Sequence, residues 1–335
     1  MGCLTAEQIA QFKEEGYLVV EGVLDPKTVL DPVIEEYTEV LDTLVRDLYE
    51  REEISSLFED LDFAERFIAV CIETGDVHKQ YFDFSLPFQN VTPDTPFWTG
   101  QAVLNAFTAE SLLDCVESLI GPEIYSNPVQ HVRIKPPEHI LPKNQFGNPI
   151  LGETIWHQDQ GVVVPEADET NMLTVWFALE DVDIEQGPLK VVPSSHKHGL
   201  LTHCPSYFGN GPKTAGGRQI PESLFEAERM IPLPVKRGDV IFLPKCTVHG
   251  SLPNLSDKIR WSFDLRYNPI GQTTGREAFP GFVARSRKHP ERELRDAKVW
   301  TQMWLDTRKA MSKINRDGQT DVPFGRWTEG HPDCA

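Results

Sequence analysis

The apolar positions of this chain change their period partway along. Residues 5–15 place Ile9 and Phe12 on one stripe of a 3.6-residue repeat, with Thr5 and Gln8 spaced as a capping box and Gly16 at the far end, so the pattern predicts a helix. Residues 17–20 read as a short strand. Asp25-Pro26 is an N-cap followed by a first-turn proline and opens a second helix to about Leu48. Residues 50–120 read as mostly helical and acidic. From about Tyr125 short β-rich runs take over, at 129–134, 172–179, 189–192, 240–243 and 260–267, separated by Gly/Pro turns, which is the pattern of a sandwich or barrel. Residues 205–230 read as a long Gly- and Pro-rich loop and a candidate lid. Residues 290–314 return to a helical repeat, with Trp300 and Trp304 on one face as expected core.

The run from Arg260 to Tyr267 alternates at every position. Arg260, Ser262, Asp264 and Arg266 share one face; Trp261, Phe263, Leu265 and Tyr267 share the other. Two arginines on one strand face meet either water or a pocket for an anion. The basic run at 131–135 poses the same choice, because His131, Arg133 and Lys135 share a face that suits an exposed edge strand or a pocket for a carboxylate.

Composition narrows the partners. The 335 residues suggest about two domains, although single β domains reach this size. Nothing between 1 and 335 reads as a linker, so one domain is expected: a mostly helical part at 1–120, a β core at 125–270 and a helical extension at 271–335. With 51 acidic and 32 basic residues the net charge is −19, a field that repels nucleic acid and anionic lipid surfaces. There is no apolar run of membrane-spanning length and no signal-peptide core, and Ala6 spoils the myristoylation pattern after Gly2. The six cysteines, at 3, 71, 115, 204, 246 and 334, form no Cys-x-x-Cys pair, and scattered thiols fit a reducing, cytoplasmic location. The expected partner is a small-molecule substrate, with no nucleic acid and no membrane; the sequence carries no signal for oligomeric state.

The strongest local chemistry is Trp156-His157-Gln158-Asp159. On a strand, His157 and Asp159 project from one face and make two legs of a 2-His-1-carboxylate triad, the donor set of non-haem Fe(II) sites with open positions. Alone, the same letters spell a surface hydrogen-bonded pair. Downstream, the Arg237-Gly238-Asp239 turn leads into an apolar strand and then His249, which is either the third ligand or a core histidine. Arg260 follows 11 residues later with Ser262 beside it, a pairing that suits a distal carboxylate. His196-x-His198 reads as a loop feature, His203 as structural and Cys246 as a small buried hydrophobe.

In this order and spacing, His157-x-Asp159, His249 and Arg260 resemble the phytanoyl-CoA dioxygenase family of Fe(II)/2-oxoglutarate oxygenases. The segments 5–24, Gly187-Pro188-Leu189, 193–196 and 237–239 resemble it as well, from about residue 4 to about 285. The resemblance implies a mainly β fold, a double-stranded β-helix (cupin-like jelly roll) with the N-terminal helices packed on one sheet. It implies that His157, Asp159 and His249 bind Fe(II) and that Arg260 and Ser262 hold the C5 carboxylate of 2-oxoglutarate. Gln158, Trp176, Ser251 and Lys135 match positions near the cosubstrate. His131, Arg133 and Arg266 are the candidate substrate contacts. The implied activity is a dioxygenase using O2 and 2-oxoglutarate to hydroxylate a C–H bond, releasing succinate and CO2. Halogenating relatives replace the metal-binding Asp by a small residue; Asp159 is present, which disfavours halogenation. Desaturation or ring formation at the same site is the alternative, as is a non-catalytic, metal-stabilised jelly-roll binding protein.

Overall fold

The computed structural model describes residues 3–87, 90–143, 151–205, 218–316, 326–327 and 331–334. Its helices are α1 (Ala6–Glu15), α2 (Asp31–Glu50), α3 (Phe63–Thr74), α4 (Lys79–Phe82), α5 (Gln101–Phe107), α6 (Glu110–Ile120) and α7 (Ala297–Arg316). Its strands are β1 (Leu18–Val20), β2 (Glu123–Lys135), β3 (Thr154–His157), β4 (Leu173–Ala178), β5 (Leu189–Val191), β6 (Cys204–Pro205), β7 (Arg218–Gln219), β8 (Ile231–Leu233), β9 (Val240–Pro244), β10 (His249–Ser251), β11 (Arg260–Pro269) and β12 (Phe282–Ser286).

Local chemistry sets the first boundaries. The Thr5 hydroxyl accepts from the Gln8 amide and the Gln8 side chain reaches back to the Thr5 N–H, while Gly16 closes α1 at φ 72°. Asp25 accepts from the Thr28 amide at 2.8 Å. The helix expected there comes in two pieces, a π-helical turn at Pro26–Leu30 and then α2.

Two sheets form the core of a double-stranded β-helix. The large sheet has the order β1-β9-β4-β11-β2-β12 and the small one β3-β10-β5-β8, all pairs antiparallel. The region 271–335 therefore contributes a strand, β12, to the large sheet before its helix, and β1 caps the opposite edge. Strand β11 explains the arrangement. Trp261, Phe263, Leu265 and Tyr267 enter the helical layer, where Trp261 stacks on Phe63 at 4.3 Å and meets Tyr37 edge-on at 5.3 Å. The Tyr267 hydroxyl donates to the Phe107 carbonyl at 2.7 Å. Trp300 and Trp304 of α7 are fully buried in the same cluster, as the sequence suggested. Each such aromatic contributes roughly 1.5–3 kcal/mol of burial. The helical layer thus fixes β11 from outside and leaves its polar face to line the roll.

One expectation needs correction, and another lies partly outside the described residues. The cysteines are not all single thiols: Cys3 pairs with Cys115 and Cys204 with Cys334, over separations of 112 and 130 residues. Partners that the fold brings together from such distances leave no spacing motif, and the pairing removes the free-thiol argument for a cytoplasmic location. The lid expectation at 205–230 falls in part on 206–217, which lie outside the described residues; its far flank forms β7 and two 3₁₀ turns leading to β8.

Candidate active site

The metal-type site forms at the edge of the small sheet. β3 pairs with β10 so that His157 and His249 are cross-strand partners, with ring centroids 4.2 Å apart. Asp159 arrives differently from the sequence reading. β3 ends at His157, and Asp159 opens a 3₁₀ turn, Asp159–Val162; the turn rather than strand alternation brings its carboxylate round. Its Oδ1 lies 3.8 Å from His157 Nε2 and 3.9 Å from His249 Nε2. Ligand atoms of the three residues lie within 4.8 Å of one another, the one such metal-capable group among the described residues.

Each donor is held in the required form. His157 Nδ1 faces the Ile155 carbonyl at 2.8 Å and His249 Nδ1 the Thr247 carbonyl at 2.9 Å. A carbonyl only accepts, so both protons sit on Nδ1 and both Nε2 lone pairs face the site. Burial, and then His249, lower the His157 pKa to about 3, so its ring is neutral near pH 7. Burial alone would raise the Asp159 carboxyl, but Arg266 and the two imidazoles outweigh it and hold Asp159 well below the usual range. Arg266 Nη2 donates to Asp159 Oδ1 at 2.5 Å, and the Thr174 hydroxyl donates to Oδ2.

A small cavity opens beside the triad, lined by His157, His249, Arg260, Trp176, Arg133 and Asp264 among others. Arg260 is 1 % exposed and lies over the Trp176 ring at 5.8 Å. Its Nε and Nη2, and the buried Ser262 hydroxyl, have no hydrogen-bond partner among the described residues. Burial, and then the neighbouring Arg133, lower the Arg260 pKa to about 9. A buried guanidinium with unpartnered N–H groups calls for an anion. The site therefore fits both parts of the implied set, two imidazoles whose Nε2 atoms face a shared carboxylate for a divalent metal, and an arginine and a hydroxyl for the far carboxylate of 2-oxoglutarate.

Other expected residues go elsewhere. Gln158 donates to the Gly199 and Cys246 carbonyls and accepts from the Leu201 amide, so it pins loops. Lys135 Nζ donates to the Ser251 hydroxyl at 2.7 Å and the Gly152 carbonyl at 2.9 Å, tying β2 to the small sheet. Ser251 also accepts from the Thr154 amide. Arg266 is 3 % exposed and engaged by Asp159 and by Asp264 at 3.0 Å, so it positions a ligand rather than facing substrate. His131 bonds Asp83 at 2.8 Å, and with Arg133 lines a neighbouring cavity. His203 Nε2 accepts from the Gln158 amide, a backbone brace between two ligands. The sequence reading missed Thr174. Its signal is the alternation with Trp176 along β4, which puts both on the inward face. His196 bonds the Lys13 carbonyl, in keeping with a loop feature.

A jelly roll with a two-histidine, one-carboxylate centre and an anion-seeking arginine beside it belongs to the metal-dependent oxygenases. A family model described as phytanoyl-CoA dioxygenase matches residues 12–262, and the chain belongs to that family of Fe(II)/2-oxoglutarate-dependent oxygenases. It is 27% identical over 275 residues to a phytanoyl-CoA dioxygenase domain-containing protein 1 from Bos taurus, covering 78% of this chain and 89% of the relative. It is 25% identical over 281 residues to a phytanoyl-CoA dioxygenase from Arabidopsis thaliana, covering 79% and 88%. Among solved structures, the non-heme monooxygenase ThoJ superposes with a TM-score of 0.53 at 16% identity, over 93% of this chain and 99% of that one. No helix is long and apolar enough to cross a membrane among the described residues.

Proposed function

We propose that this protein is a dioxygenase that hydroxylates a C–H bond of a small-molecule metabolite, with Fe(II) held by His157, Asp159 and His249 and 2-oxoglutarate anchored by Arg260 and Ser262. The observation that carries this reading is the unpartnered Arg260 guanidinium and Ser262 hydroxyl buried on the same strand face that looks toward the triad. A purely structural metal needs no such anchor, which counts against the binding-protein alternative. When bound, iron and 2-oxoglutarate supply oxidative decarboxylation to succinate and CO2 coupled to oxygen insertion.

The chain's own residues do the rest. Ile155 and Thr247 carbonyls fix the imidazole tautomers. Arg266 and Thr174 hold the Asp159 carboxylate in one orientation and keep it ionised. Trp176 covers one face of Arg260 and excludes water from the ion pair it is built to make. Lys135 closes the strand gap behind the cavity.

The test is anaerobic addition of Fe(II) and then 2-oxoglutarate, watching the visible charge-transfer band of the chelate. Wild type should show it, His157→Ala should lose it, and Arg260→Ala should need about tenfold to a hundredfold more 2-oxoglutarate, the cost of one charged hydrogen-bonding partner. Absence of the band in folded, metal-loaded wild type would overturn the proposal. Desaturation or ring formation would show the same band and differ only in product.

A further inference from the structure

Sheet topology leaves one gap in the roll. The second half of β2, from His131 to Lys135, pairs with β11 on one side, whereas β12 reaches only the first half. β3 is the edge of the small sheet. Between these two edges lies a cavity of about 350 Å³, floored by β2 and β3 and roofed by α4 and the chain after it. It shares Arg133 and Thr154 with the metal cavity, so it is the adjoining chamber.

Its walls are mixed. Val77, Phe82, Leu86 and Leu151 supply apolar surface, and Lys79 and Arg133 stand among them. The other charges lining it have partners. Asp83 holds His131 at 2.8 Å, Glu153 holds Lys190 at 2.7 Å, and Lys135 is tied to Ser251 and Gly152. Arg133 is left with a distant share of Asp264, 3.6 Å to an oxygen that Arg266 already takes at 3.0 Å. Lys79 makes no ion pair among the described residues. Filling the metal site does not change this balance, because a divalent metal and a dianionic cosubstrate cancel, with Arg260 and the triad as their partners. Two solvent-reached cations thus stand at the rim of a partly apolar chamber with no close carboxylate among the described residues.

We infer that the substrate is a compact, largely apolar monoanion, a free carboxylic acid rather than a coenzyme A thioester, whose carboxylate is received by Arg133 with Lys79 in support while its apolar body fills the chamber beside the metal site. This rests on the reading of the metal site above and deepens it. The volume is at the low end of ligand pockets, roughly 300–1,000 Å³. It holds a small ligand whole, whereas the nucleotide arm of a coenzyme A ester would lie outside it on a chain of net charge −19. Arginine suits the task because its planar fork matches a carboxylate with two hydrogen bonds.

Binding can be tested on metal-free protein, so this inference can fail or hold independently of the metal chemistry. The probe is 8-anilinonaphthalene-1-sulfonate, displaced by decanoate, by the isosteric decanamide or by decanoyl-coenzyme A. Decanoate should compete about tenfold to a hundredfold better than decanamide, the difference made by a charge-assisted pair. Arg133→Gln should erase that preference and leave decanamide unchanged, Lys79→Gln should reduce it in part, and Arg133→Lys should restore some of it. Arg133 is partly exposed, so the fold should survive, and unchanged circular dichroism checks this. Equal competition by acid and amide, a preference that survives Arg133→Gln, tighter competition by decanoyl-coenzyme A than by decanoate, or no competition by any of them would each overturn the inference. A failed charge-transfer band with intact decanoate preference would count against the metal reading alone.

Discussion

The metal cavity and the chamber beside it are lined in part by the same two strands, yet they hold their charges differently. In the inner site the three ligands are braced: both imidazoles by backbone carbonyls, and Asp159 by Arg266 and Thr174. In the outer chamber Arg133 reaches its nearest carboxylate only at 3.6 Å. The inner geometry must be fixed before anything binds, because misplacement by an ångström is costly for coordination and for chemistry. The outer group needs freedom to meet a ligand. Asp264 joins the two regions, since a single oxygen serves Arg266 at 3.0 Å and Arg133 at 3.6 Å.

The largest effect should come from breaking the inner brace. Arg266→Met leaves Asp159 buried without its guanidinium and Asp264 with only the more distant Arg133. Removing one partner of a buried pair costs about 3–5 kcal/mol, so the urea midpoint should fall steeply. Fe(II) affinity should also fall, by about tenfold to a hundredfold, because the ligand carboxylate loses its orienting donor. Anaerobic metal titration and equilibrium unfolding measure the two. If both changed no more than on altering an outer-chamber charge, the contrast between the regions would collapse.

A pH experiment sharpens the same contrast. His157, largely buried, and His203, fully buried, are held neutral, with desolvation the chief cause, and their pKa values fall to about 3 and about 4. In the unfolded chain an imidazole titrates near 6.5. Between those values the unfolded state binds more protons, so the stabilising contribution is complete above pH 6.5 and is lost as pH falls toward 4. Each histidine should contribute up to about 1.4 kcal/mol per pH unit in that window. Metal-free protein should therefore unfold at lower urea at pH 5 than at pH 7, and His203→Gln should flatten the slope by about one histidine's share. A slope unchanged by that substitution would show that His203 is not buried neutral.

Much of this was legible in the residues because it is local. The capping box at Thr5, the alternation along 260–267 and the order His157, Asp159, His249, Arg260 all survive in three dimensions. The losses have physical causes. Asp159 was read as a strand residue, but a 3₁₀ turn, which leaves no period in two or three residues, carries it. Arg266 shares a strand face with Arg260, and alternation cannot tell an arginine that waits for a ligand from one already claimed by Asp159. Gln158 matched a family position, yet its amide is taken by three backbone groups from two distant loops. Cys204 and Cys334 meet only because the chain's end returns to β6. Apart from the local turn at Asp159, each miss is a long-range partner, and sequence pattern reports neighbours.

The smallest effect should be found at the rim of the outer chamber. Glu153 pairs with Lys190 at 2.7 Å, but the Glu153 side chain is 51% exposed, and water screens the pair. Such pairs contribute about 0–1 kcal/mol. Lys190 has a second hold, its ammonium lying 4.4 Å from the centroid of the Trp156 ring, so losing the carboxylate does not strand a buried charge. Glu153→Gln should change the unfolding free energy by less than about 1 kcal/mol and leave Fe(II) affinity at the wild-type value, since no ligand is braced by this pair. Its one expected consequence is local. Removing a negative charge from a wall that also carries Arg133 should tighten decanoate modestly, by about twofold to fivefold, with decanamide unaffected. A loss of metal affinity in this variant would mean that the chamber and the metal site are one rigid unit, and that the looseness of Arg133 does not extend to the wall around it.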